Sequence, residues 1–133
     1  MSQIVAIIKK IDTVDSLNIV QFDFLGINLK MMSLDLNKEI QVGKKVRLGV
    51  KSTNICIAKN LIGEISLSNK IIATIQNIQN GELLSSITLK KDGILMESII
   101  TLDSSKRMDL KENDEVTLLI KASDLSILEV IND

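Results

Sequence analysis

The sequence predicts an all-β chain of two tandem, five-stranded small β-barrels, each with one short helical turn. Three observations predict it. Apolar and polar residues alternate over short runs, which is the side-chain period of a half-buried strand. Gly, Asn and Asp close those runs in a chain of 133 residues without proline. The whole pattern then occurs twice. Residues 45–58, KVRLGVKSTNICIA, superpose on residues 115–128, EVTLLIKASDLSIL, at an offset of 70. Val46, Leu48, Lys51 and Ile57 meet identical residues at Val116, Leu118, Lys121 and Ile127. A period near half the chain length marks two copies of one unit, divided as residues 1–59 and 60–133.

Taken in order, residues 3–11, QIVAIIKKI, form a β-branched first strand. Its twin is residues 70–78, KIIATIQNI, at an offset of 67. The drift from 67 to 70 places about three extra residues in loops of the second copy. A polar turn at residues 12–16, matched by Asn80-Gly81, leads to second strands at residues 17–24 and 84–89. Gly26 and Gly93 open tight turns into third strands. Residues 36–41 and 104–110 are short, charged and loosely helical, suited to one helical turn between strands three and four. Each closing stretch reads as strand, tight bend, strand, with lysine and small hydroxyl residues at the bend. Five strands with a helical turn after the third suit a barrel of the oligonucleotide/oligosaccharide-binding (OB-like) type. The connection at residues 59–68 contains apolar residues and is no flexible linker, so the halves should pack together.

Composition narrows the function. Apolar residues make up 45% of the chain and aromatics 2%, with no Trp or Tyr, so the interior is built from Ile, Leu and Val. A unit of about 65 residues buries only ~60% of the surface its unfolded chain exposes, and oligomeric assembly is expected. The net charge is −1. With no basic run and no aromatic stacking platform, a nucleic-acid partner is not expected. Cys56, the single cysteine, cannot form an intrachain disulfide and is expected to be a buried small hydrophobe. No apolar run approaches the ~20 residues that span a bilayer, and the N-terminus lacks the signal-peptide pattern. A cytoplasmic protein with no membrane partner is the expectation.

Chemistry is restricted further by what is missing. Without histidine or a cysteine cluster there is no thiolate or imidazole zinc site and no Ser-His-Asp arrangement. No phosphate-cradling glycine loop is present. The expectation is a protein that is not an enzyme. What remains are hydroxyl, amide and lysine groups at strand ends: Lys51-Ser52-Thr53, Lys121-Ala122-Ser123, residues 66–69, and Ser33 with Thr101. Such donors suit a small tetrahedral oxyanion, each charge-assisted bond contributing roughly 1.5–3 kcal/mol where partly desolvated. The same residues also read as ordinary turn hydroxyls and two surface lysines.

At these residues the chain resembles a known family. VTLLIKASDLSIL and VRLGVKSTNICIA resemble the close of the Mop (TOBE) molybdate/tungstate-binding domain. IITLDSSKRMDLKENDEV resembles its segment between strands three and four, and SLSNKIIATI its opening strand. The match covers essentially the whole chain as two copies, the layout of di-Mop proteins. The resemblance implies an OB-like barrel, homo-oligomers of three or more subunits, and molybdate or tungstate held as ligand at subunit interfaces without catalysis. It implies Ser66, Asn69, Thr101, Lys121 and Ser123 as oxyanion ligands in the second copy, and Ser33, Lys51 and Ser52 in the first. The family's SARN arginine is Ser68 here, its strand glycine is Ala73 (Ala6 in the first copy), and the first copy lacks most of the opening motif. These departures keep open an alternative: a structural or regulatory oligomerisation domain that has lost its ligand.

Overall fold

The computed structural model describes residues 1–132. Strands β1 (Ser2–Val14), β2 (Leu17–Phe24) and β3 (Ile27–Ser33) form a meander. Then come β4 (Lys45–Val50), a 3-10 turn at Ser52–Asn54 and the short β5 (Cys56–Ala58). The second copy repeats this as β6 (Asn69–Asn80), β7 (Leu84–Lys91), β8 (Ile94–Thr101), helix α1 (Leu102–Arg107), β9 (Glu115–Ile120), a 3-10 turn at Ala122–Asp124 and β10 (Ser126–Ile131).

Each copy is curved by its long first strand. Residues 2–7 of β1 pair with β4, and residues 7–14 pair with β2. A register shift between Ile8 and Lys10 lies just past the handover, and β6 repeats it between Ile75 and Asn77. The extra residue bends the strand and raises its twist. Alternation does the rest: Ile4, Ala6 and Ile8 face inward from β1, and Ile71, Ala73 and Ile75 from β6. The β2–β3 turn holds Leu25 and Gly26 at φ 52° and 84°, and the β7–β8 turn holds Asp92 and Gly93 at φ 47° and 83°. Positive φ at both central positions is the two-residue hairpin turn whose twist matches the flanking strands.

The two sheets do not follow the two sequence copies. Their strand orders are β10-β4-β1-β2-β3 and β5-β9-β6-β7-β8. The last strand of each copy is therefore donated to the sheet of the other. Cys56, Ile57 and Ala58 pair with Leu119, Leu118 and Thr117, while β10 lies against β4 with Ile127 opposite Leu48 and Val130 opposite Val46. An Arg47–Glu129 ion pair at 2.8 Å crosses the second exchange. The division at residues 59/60 falls in the connection between the exchanged β5 and β6. One apolar cluster runs through both sheets, from Ile4, Phe22 and Leu48 to Ile71, Ile87 and Leu118.

Two expectations need correction. Residues 36–41 form turns rather than a helical turn, and only the second copy carries α1. The reason is a cap: Thr101 Oγ1 accepts a hydrogen bond from the Ser104 N–H at 3.2 Å, with Asp103 in the first turn. Leu34 stands at the equivalent position of the first copy and offers no acceptor. Cys56 is exposed rather than buried. Ile55, one residue earlier, faces the core at 1% exposure, so the two-residue period turns Cys56 outward at the edge of its sheet. Among the described residues, no helix is long and apolar enough to cross a membrane.

Candidate functional site

Both lysines of the repeated stretch stand where a core strand ends. Lys51 follows β4 and Lys121 follows β9, each in extended backbone (φ −65°, ψ 136° and φ −70°, ψ 140°) immediately before a 3-10 turn. The lysine carbonyls accept the closing bonds of those turns, from Asn54 N at 2.8 Å and Asp124 N at 2.9 Å. Closing the turn with backbone groups leaves both side chains exposed. Among the described residues neither ammonium has a carboxylate partner.

The exchanged strands bring the two bends side by side. A concavity of about 270 Å³ is lined by Lys51 and Asn54 from the first bend and by Ser123, Asp124 and Ser126 from the second. Lys51 and Ser123, ligand candidates from different copies, meet there. A neighbouring space of about 260 Å³ joins Ser123 to Ser33, with Met31, Leu36 and Ile40 as its apolar wall. Its counterpart of about 630 Å³ holds Thr101 with Thr53, Ser104 and Arg107.

Ser33, Thr101 and Asn69 are engaged within the fold. The Ser33 hydroxyl donates to the Asp35 carbonyl at 2.7 Å, and Thr101 caps α1. Ser66 is exposed in the connection before β6. Asn69 is fully buried. Its Oδ1 accepts from Lys30 N at 2.6 Å and its Nδ2 donates to Lys30 O at 2.9 Å, so its amide stands in for a strand partner at the free edge of β3. Ser2 is its equivalent in the first copy: its hydroxyl accepts from Glu97 N at 2.8 Å and donates to Glu97 O at 3.3 Å.

Ser52 lies beside this second clamp. It is 6% exposed, and its hydroxyl is the one buried side-chain polar atom without a hydrogen-bond partner among the described residues. The turn that holds it packs against β8, the strand that carries the Glu97 carboxyl. That carboxyl is held below its ordinary pKa first by the Ser86 hydroxyl, which donates at 2.6 Å, and then by Ser52. Asp114 is also lowered, first by the Lys111 backbone N–H at 3.0 Å and then by Lys59. Lys59 carries three contacts at once. Its ammonium donates to the carbonyls of Met108 and Asp109 at 3.1 and 2.9 Å, beyond the end of α1, and lies 3.4 Å from Asp114 Oδ2.

The sequence reading passed over Lys30 and Glu97. The signal was present in the offset of 67, which pairs them as opposite charges at equivalent positions.

Fold and site together define a tandem small-barrel module with exchanged closing strands and cationic, hydroxyl-bearing bends at its strand ends. Residues 65–127, just under half of the chain, match the TOBE domain. Over 94% of its length it is similar to 93% of the cytoplasmic molybdate-binding protein ModG with molybdate bound, at TM-score 0.88 and 19% identity. A molybdate-binding protein from Sporomusa ovata is 34% identical, with all of that chain matched to 50% of this one at TM-score 0.49. The molybdate/tungstate import ATP-binding protein WtpC of Pyrococcus horikoshii is 28% identical over 110 residues, 83% of this chain. The chain spans about a third of that relative's length, 32%.

Proposed function

We propose that this protein binds molybdate or tungstate reversibly in the cytoplasm, without catalysing a reaction, as two Mop-like units spanning residues 1–59 and 60–133. The observation that carries the reading is the pair of unpartnered ammonium groups, Lys51 and Lys121, each at a strand end beside hydroxyls. A dianion gains from such groups twice: by charge, and by the hydrogen bonds of fixed N–H and O–H donors. Relatives named for molybdate and tungstate support the choice of ion.

Lys121, Ser123 and Ser66 from the second copy, and Lys51 from the first, have exposed side chains suited to meet the ion. Asn69, Thr101 and Ser33 act by holding the backbone around it, and Ser52 follows Lys51 at the first bend. The bends are open to solvent on one side, so assembly into trimers or larger homo-oligomers would close them and strengthen each polar contact by excluding water. Isothermal titration with molybdate, tungstate and sulfate tests the function. Heat with the first two at micromolar protein is expected, and its absence rejects the reading.

A further inference from the structure

The two bends occupy equivalent places in the fold but have different surroundings. Lys30 is held at the second bend by backbone geometry: Asn69 clamps its N–H and C=O, Asn69 pairs with Ile120, and Lys121 is the next residue. Glu97 is held at the first bend by the same construction: Ser2 clamps its N–H and C=O, Ser2 pairs with Val50, and Lys51 is next. Lys30 lies between buried Leu29 and Met31, and Glu97 between buried Met96 and Ser98, so both side chains leave their strands on the outer face. β8, the strand of Glu97, packs against the 3-10 turn Ser52–Asn54 of the first bend, and the Glu97 carboxylate accepts from Ser86 on β7. At the equivalent position beside the second bend the residue is Lys30, with Ala122 in place of Ser52.

We propose, on the oxyanion-binding reading above, that the bends are unequal as anion sites. The second bend takes the tetrahedral dianion with Lys30 as an additional cationic ligand, and Glu97 weakens its hold at the first. Formal charge supports the assignment. At the first bend Lys51 and the Met1 α-amino group line a concavity with Asp124, and with Glu97 beside it these four charges sum to zero. The second has Lys30 and Lys121 against Asp124, leaving one positive charge. Asp124 lines the concavity shared with Lys51 and Asn54, a space that Lys30 does not line. Among the described residues Lys30 has no carboxylate partner, so its ammonium is available to a ligand. Swapping a positive for a negative side chain beside a doubly charged ion changes the sign of the largest interaction it meets at that distance.

The test is a count of bound metal per chain, by elemental analysis after dialysis against molybdate, together with titration of affinity. Lys30→Met should weaken binding about tenfold or more at an unchanged melting temperature without ligand. Glu97→Gln keeps an acceptor for the Ser86 hydroxyl and removes the charge, and Glu97→Lys copies the second bend onto the first. Both should raise the number of ions bound per chain above the parent's. Parent-level affinity in Lys30→Met, or a parent-level count in both Glu97 variants, overturns the inference while the function stands. A parent protein that binds neither molybdate nor tungstate overturns the function itself, and is recognised because the failure precedes any substitution.

Discussion

Asn69→Ala is the sharpest probe of how the two copies are joined. The side chain is fully buried and closes two hydrogen bonds, at 2.6 and 2.9 Å, to the backbone of Lys30, 39 residues away in the other sheet. Alanine removes both bonds and leaves a backbone N–H and a C=O at the edge of β3 without partners. Two bonds at about 1 kcal/mol each set the lower bound, and the desolvation of the orphaned groups raises the loss to about 2–4 kcal/mol. At this chain length about 1 kcal/mol corresponds to roughly 3–5 °C, so the melting temperature should fall by about 10 °C. Chemical denaturation with an unchanged slope would show that the native contact, not the compactness of either state, was lost. Ser2→Ala removes the equivalent clamp, whose longer bond spans 3.3 Å, and should cost less, about 1–2 kcal/mol. If Asn69→Ala stays within about 0.5 kcal/mol of the parent, the clamp is not what ties β6 to β3, and the argument from satisfied backbone groups fails.

Other expected outcomes are simpler to state. Lys121→Ala should weaken molybdate binding about tenfold or more, ~1.4 kcal/mol, by titration; unchanged affinity would make Lys121 an ordinary surface lysine. Leu25 occupies φ 52° at 50% exposure where the second copy has Asp92, so Leu25→Asn should stabilise by about 0.5–1 kcal/mol in thermal unfolding. A Cβ on Gly49 would stand 2.8 Å from Leu128 Cδ1 and 2.9 Å from Cγ, so Gly49→Ala should push on β10 and cost about 1–2 kcal/mol by the same measurement. Glu97 and Asp114 are both held below their ordinary values of 4.5 and 3.8, first by Ser86 and by the Lys111 N–H respectively. Depressed carboxyl groups add stability above those values and lose it as pH falls through their lower folded values. Melting temperature should therefore decline on acidification below about pH 4.5, and a flat profile from pH 6 to 3 would contradict the lowering.

Much of the architecture was legible because it is local. Two-residue alternation along residues 3–11 and 70–78 is the chain's own record of which side of β1 and β6 meets the core. The Leu25-Gly26 and Asp92-Gly93 turns advertise their backbone angles through glycine. The offset of 70 placed both lysine bends before any fold was considered. The same reading stopped at Cys56, where an apolar neighbourhood did not reveal which face of a three-residue edge strand would point outward. It also stopped at residues 36–41, where the presence or absence of a single capping hydroxyl decided between helix and turn.

The sequence by itself determined the elements, their doubling and the residue types at the bends, because periodicity, turn chemistry and capping act over a few neighbouring residues. Only the tertiary structure decided that β5 and β10 change places, that Asn69 serves Lys30 rather than solvent, and that Glu97 and Lys30 stand beside opposite bends. Those outcomes depend on which free sheet edge meets which strand across tens of residues. That choice is made by burying one shared core and satisfying every backbone group at its rim, and neither requirement is visible in a short stretch of chain.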